Sequence, residues 1–258
     1  MLAVEVTRNT VLCASARFGI PAHIHVCVTA AGSVILDVKR DKYLGLGREE
    51  TELLADAVAG WPEPVWQRSL CRDWGARFKA EIATCESLAA DGVLERISET
   101  RNARVVPALR DMRGEWISIG DELEVHGRLT LRHVAHFLAA FCWARYSLAW
   151  RPFSAIVEEV KATKACMVRD SDERHPHAVA ALVDVFRRLR PFVFAAEGRC
   201  LIHALTLMKF LSQYQFYPEW VIGVTTQPWG AHSWVQWGNF LLDSNPEKVC
   251  GYTPIMIL

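Results

Sequence analysis

Neither sign of charge is in excess in this chain: 29 basic residues face 29 acidic ones. Proteins that grip nucleic acid usually carry a clear basic surplus, because their affinity comes mainly from neutralising phosphates. There is no dense Lys/Arg run either, so nucleic acid is not expected as a partner. Long apolar runs are missing too. The most apolar helical stretch, Val134 to Trp150, is interrupted by His136 and Arg145, so no membrane span is expected. The opening stretch MLAVEVTRNTVLC lacks a basic segment followed by an apolar one, the mark of a signal peptide. Eight cysteines are present, but no CxxC pair. Their scatter argues against a zinc ribbon, and the chain is too long for a small disulfide scaffold. No glycine-rich phosphate loop, internal repeat or low-complexity tract occurs. The expectation is a cytoplasmic protein without metal or cofactor, in which most cysteines are small buried hydrophobes.

What is there is an ordinary folding composition, 51% hydrophobic and 22% charged over 258 residues. That length allows one large domain or two modest ones, with a core that needs no disulfides. Between residues 22 and 45 the pattern is β. AHIHVCVTA alternates Ile24, Val26 and Val28 against His25 and Cys27. SVILDVK reads as a second strand after a turn at Ala31-Gly32, and YLGL as a short third one. REETELLADAVAGW then reads as a helix, broken at Trp61-Pro62-Glu63-Pro64. A second helix is expected from about Asp73 to Ala90, closed by an Asp-Gly turn.

Residues 101–128 read as a linker holding one short strand, GEWISIG. Helices are expected at Leu129 to Leu148, Ser154 to Ala165 and Ala178 to Leu189, with a polar loop, RDSDERHPH, before the last of them.

The chemistry concentrates in the last sixty residues. In GRCLIHALTLMKFL, positions Leu201, Ala204, Leu205, Met208 and Leu211 repeat at helical spacing, so a helix begins near Cys200, with Gly198 turning the chain into it. Unpaired N–H groups and the positive dipole end at a helix start favour the thiolate that a nucleophile needs. After Pro218, EWVIGVTT, AHSWVQW and NFLLD read as three strands. Gly238-Asn239 suits a two-residue hairpin between the last two. That hairpin pairs Trp237 with Phe240 and Trp234 with Asp243. His232, Trp234 and Gln236 then share one face, because strand side chains alternate. Asp243 lies diagonal to His232 on that face, and Asn245 lies opposite it. A thiol at a helix start, a strand histidine and an acid or amide on the next strand can run nucleophilic acyl transfer.

Two resemblances follow. ILDVKRDKYLGLGREETELL resembles the winged-helix-like peptide-recognition element of ribosomal-peptide biosynthesis. The order Cys, His, Asp along helix, strand and strand resembles the papain-related, transglutaminase-like fold. Within that fold, CLIHAL, VIGVTTQPWGAHSWVQWGNFLLDSNP and TPIMIL resemble the C-terminal peptidase domain of lasso-peptide B proteins. The resemblance implies an α+β chain of two domains. Residues 1–100 would bind a leader peptide through Tyr43, Leu44 and Leu46 at a sheet edge. Residues 101–258 would be a cysteine peptidase with Cys200, His232 and Asp243 as its triad. It further implies two partners: a precursor peptide, cut after its leader, and a separate ATP-dependent lasso cyclase that closes the ring.

Members of that family often carry Asn-Asp where this chain has Asp243-Ser244, so the acid stands one position early. A one-residue shift turns a strand side chain to the opposite face unless a bulge compensates. Asn245 therefore stays open as the orienting residue. The C-x2-H spacing of Cys200 and His203 is not characteristic of zinc, even with His232 and Cys250 added. Two other functions stay open: a transglutaminase-like acyltransferase, and a non-catalytic adaptor that carries the leader to the cyclase.

Overall fold

A computed structural model describes residues 18–67, 74–97, 116–122, 125–167, 176–194 and 199–258. Most of the expected linker, the polar loop before Pro176 and the turn at Gly198 lie outside the described residues. The chain divides into two compact units, residues 1–110 and 111–258. Helices and strands are mixed in both. No helix among the described residues is long and apolar enough to cross a membrane.

The first unit holds an antiparallel meander in the order β2-β3-β4, formed by β2 (Ile24–Thr29), β3 (Gly32–Asp37) and β4 (Lys42–Leu46). Its turn is Ala30-Ala31, and Gly32 already belongs to β3. Gly32 has φ +142°, and a Cβ there would collide with the Leu46 carbonyl, so only glycine lets β4 close on β3 at this end. Helix α1 (Arg48–Ala57) follows directly. Its buried Thr51 ties it to the sheet, donating to the Gly47 carbonyl at 2.7 Å and accepting from the Ser33 amide at 2.8 Å. A second helix, α2 (Trp74–Ala90), packs against α1. Ile24, Val26, Ile35, Leu54 and Leu88 share the core.

The sequence alone did not announce the two-residue strands β1 (Phe18–Gly19), β5 (Val58–Ala59) and β6 (Glu95–Arg96), which form a second small sheet. In β2 the faces alternate as expected, with Ile24 and Val26 in the core of this unit and Cys27 outside it, but burial does not alternate with them. Cys27 is as buried as its neighbours, because β2 and β3 bury side chains on both faces. β4 is different: it is an edge strand, and most of its side chains are exposed.

The second unit is built on a five-stranded sheet in the order β11-β8-β9-β10-β7. Its strands are β7 (Ile117–Ser118), β8 (Glu219–Thr226), β9 (Trp229–Trp237), β10 (Phe240–Leu241) and β11 (Thr253–Ile257). β8 and β9 form a hairpin around Gln227-Pro228. β9 and β10 turn at Gly238-Asn239, with Trp237 opposite Phe240 as the sequence led us to expect and Gly238 at φ +58°. The helices are α3 (Ile119–Glu122), α4 (Leu131–Trp150), α5 (Phe153–Met167), α6 (Pro176–Leu189), α7 (Cys200–Ser212) and α8 (Pro246–Val249). A 3-10 turn, Arg190–Phe192, extends α6.

Helix α7 is apolar almost all round, the mark of a central element. Ala204, Leu205, Leu207, Phe210 and Leu211 are all buried. Phe137 of α4, Phe186 of α6 and Phe210 of α7 meet with ring centroids 5.3–6.4 Å apart. Losing such a ring typically costs about 3–5 kcal/mol. This aromatic knot therefore fixes α7, and with it the position of Cys200.

Candidate active site

Cys200 is the first residue of α7. The first intrahelical bond at this end runs from the His203 amide to the Arg199 carbonyl at 3.1 Å. The amides of Cys200, Leu201 and Ile202 therefore have no acceptor within the helix and are available to developing negative charge. Arg199, the N-cap, makes no side-chain cap, and no acidic residue occupies the first turn. Cys200 is half-buried. The other described cysteines divide differently from the expectation of small buried hydrophobes. Cys27 and Cys85 are buried, their thiols pushed up to about 12 and about 11 mainly by desolvation, while Cys142 and Cys250 are exposed. Among the five, only Cys200 opens a helix.

Helix α7 packs on β9, the strand that carries His232. His232 is 7% exposed, and its Nε2 has no hydrogen-bond partner among the described residues. The imidazole stacks on Trp234 at 6.0 Å between centroids and lies against Tyr252 at 5.3 Å. Its cross-strand neighbour is Gly223. A Cβ at Gly223 would stand 2.7 Å from the Trp234 ring and 3.0 Å from Tyr252, so the bare backbone there lets both rings close around the histidine. The face alternates as expected: Trp234 donates to Gln236 at 3.0 Å, and Gln236 donates to Glu219 at 2.8 Å. Desolvation, with the Lys248 ammonium adding to it, pushes the imidazole down to about 4. At neutral pH His232 is therefore an uncharged base.

Past Leu241 the ladder frays. The Leu242 amide still reaches the Val235 carbonyl at 3.0 Å, but Asp243 lies in a bend. Its side chain is 9% exposed and accepts from Arg190 at 2.9 Å. Burial raises the Asp243 carboxyl above the usual range, opposed by Arg190 and Arg187. Asn245 is not on a strand at all. It is the N-cap of α8, its side-chain oxygen accepting from the Glu247 amide at 3.0 Å. No hydrogen bond joins Cys200 to His232, or His232 to Asp243. In resting enzymes such bonds are often long and tighten only when substrate is seated.

Several site residues had no clear sequence signal. His203 stands one turn along α7 from Cys200, its ring edge-on to Phe194 at 4.0 Å and its Nε2 buried without a hydrogen-bond partner among the described residues. Burial, then Arg190, Lys248 and Arg199, hold it down to about 4. Its spacing to Cys200 hinted at a metal, yet among the described residues no three His, Cys, Asp or Glu side chains converge on one point. Arg187 and Arg190 stood in the sequence as basic residues at a helix end, where cations are commonplace. Tyr252 and Lys248 carried no signal.

The two depressed histidines make a prediction. Unfolded, each titrates near 6.5, and folded near 4. Between those values the unfolded chain binds more protons, so stability falls as pH falls through that window. His23 and His136 lean the same way. The unfolding midpoint, followed by calorimetry, should decline from about pH 6.5 to about pH 4, and His203→Gln or His232→Gln should each flatten the decline. A flat profile would show that neither ring is held neutral.

Residues 138–257 match the transglutaminase-like superfamily, so a transglutaminase-like domain occupies the C-terminal half and takes in Cys200, His232 and Asp243. Searches of the curated proteins and of the solved structures returned no match.

Proposed function

We propose that this chain is the leader peptidase of a lasso-peptide pathway, with Cys200 as nucleophile, His232 as general base and acid, and Asp243 as the orienting carboxylate. One observation carries the reading. A half-buried cysteine opens a helix packed on the strand of a buried, neutral histidine, inside the transglutaminase-like region. In the first step His232 takes the thiol proton and sulfur attacks the scissile carbonyl. The oxyanion meets the amides at the start of α7 that have no acceptor within the helix. The imidazolium then protonates the leaving nitrogen, which becomes the free α-amino group of the core peptide. Water attacks the thioester, releases the leader acid and restores the thiol. Ring closure needs adenylation. With no phosphate loop in this sequence, that step falls to a separate ATP-dependent cyclase.

The first unit binds the leader as an added strand on β4, in the manner of a winged-helix-like recognition element. Tyr43 and Leu44 are 36% and 41% exposed on that strand, whereas Leu46 packs partly on the core. Leu44→Asp in the full chain should therefore weaken leader binding at least about tenfold, measured by fluorescence anisotropy, and leave the unfolding midpoint nearly unchanged. Undiminished affinity would move the leader site off β4.

Mass spectrometry of precursor incubated with the protein tests the whole reading. Cleavage supports the peptidase. A cross-linked product would make it an acyltransferase, in which an amine resolves the thioester. Unchanged but bound precursor would make it an adaptor.

A further inference from the structure

We propose that Arg190 is a positioning residue for the reaction: it holds the Asp243 carboxylate by one oxygen and leaves the other oxygen for His232. The inference rests on the catalytic reading above. Its own basis is a clamp at the end of α6.

Asp243 lies beyond the sheet ladder, so strand register does not fix its side chain. Two arginines three positions apart, and so on one side of a helix, do this instead. Arg187 donates to the Leu242 carbonyl at 3.0 Å, and Arg190 donates to Asp243 Oδ1 at 2.9 Å. Arg188, between them, pairs with Asp184 and takes no part. The strand end is held from its other side as well: β10 pairs in parallel with β7, Leu241 beside Ser118. Just past β7 stands Gly120, where a Cβ would overlap the Arg187 guanidinium, so the bare backbone makes room for the clamp.

The Arg190 bond is made through one carboxylate oxygen. Oδ2 has no partner among the described residues, and an ionised carboxylate can accept from both oxygens. The charged and titratable groups around the site are Arg187 and Arg190 from α6 and its extension, His232 from β9, His203 from α7, Arg199 just before α7 and Lys248 from α8, with both histidine rings held neutral. Burial favours the protonated Asp243, and the two arginines oppose it. Without Arg190 the carboxyl would hold its proton to a higher pH. A protonated carboxyl stabilises an imidazolium poorly, so the thiolate–imidazolium pair at Cys200 would form less readily.

The test needs no substrate. Iodoacetamide alkylation of Cys200 in the full chain is followed across a pH series, resolved by peptide mass spectrometry because the chain has eight cysteines. Arg190→Ala should slow alkylation about tenfold at neutral pH and move the acid limb of the profile upward. Arg190→Lys should restore most of the rate. In an Asp243→Asn background, Arg190→Ala should add nothing. Arg190→Gln, which keeps a donor without the charge, should show the same limb shift and serves if the alanine variant does not fold. An unmoved limb in Arg190→Ala or Arg190→Gln, or effects of Arg190→Ala and Asp243→Asn that multiply, would reduce the pair to a structural strut. Precursor cleavage by Cys200→Ala separates the two failures. Retained cleavage overturns the catalytic reading and this inference with it. Lost cleavage with an unmoved limb overturns Arg190 alone.

Discussion

Cys200→Ala should abolish leader removal, by roughly 10³-fold or more, with the fold intact. The expected size follows from the role. A nucleophile that forms the covalent intermediate has no substitute among the described side chains. Buried Cys27 and Cys85 are held as thiols, and neither of the exposed cysteines opens a helix. The structural cost should be small. Cys200 is half-buried at a helix end rather than in the aromatic knot of Phe137, Phe186 and Phe210, so the loss of one sulfur leaves no sealed cavity. Mass spectrometry of precursor after incubation measures the first effect, and thermal unfolding by circular dichroism the second. A Cys200→Ala protein that cuts at the parental rate would end the thiol mechanism. His232→Ala should fail equally, because residues that act as one unit lose nearly everything when either is removed.

The parts of this site that could be read in the sequence are those that local chemistry determines. The start of α7 followed from the spacing of Leu201, Ala204, Leu205, Met208 and Leu211. The β9–β10 register followed from Gly238-Asn239, and Gly238 takes the positive φ that such a turn requires. Asn245 shows where one local rule overrides another. Extending the hairpin ladder sets it opposite His232. But Asn245-Pro246-Glu247 is also a helix start, with a capping side chain, proline in the first turn and an acid after it, and that is the structure it adopts. The ladder frays before it can reach so far. Contacts across long sequence separations left no trace. Arg190 and Asp243 are 53 residues apart, and nothing in RRLRP or LLDSN names the other. The strand TPIMI pairs with β8, which sequence periodicity cannot reveal. The two-residue strands of the first unit are too short for any period to register.

The orienting residue is where these two lessons meet, and Asp243→Ala should lower turnover by roughly 10² or more while leader affinity holds. For serine proteases the comparable loss is about 10⁴, a case long established. A cysteine enzyme should depend on its orienter less, since its thiol is already the stronger acid. Stability should change little. Arg190 is 42% exposed, so it can re-solvate when its partner goes, and ion pairs of that exposure contribute about 1 kcal/mol or less. Asn245→Ala should do the reverse. Its side-chain oxygen is committed to the Glu247 amide, so its loss should cost about 1 kcal/mol of stability, as removal of a helix cap does, and leave turnover near normal. Asp243→Asn keeps the shape and loses the charge, and should fall between the parent and the alanine variant, because a charge-assisted bond to the imidazolium is roughly twice as strong as a neutral one. Steady-state cleavage kinetics and unfolding midpoints on the three variants settle the matter together. If Asn245→Ala is the crippled enzyme and Asp243→Ala is nearly normal, the cap of α8 must release in the working enzyme, and the triad is Cys-His-Asn.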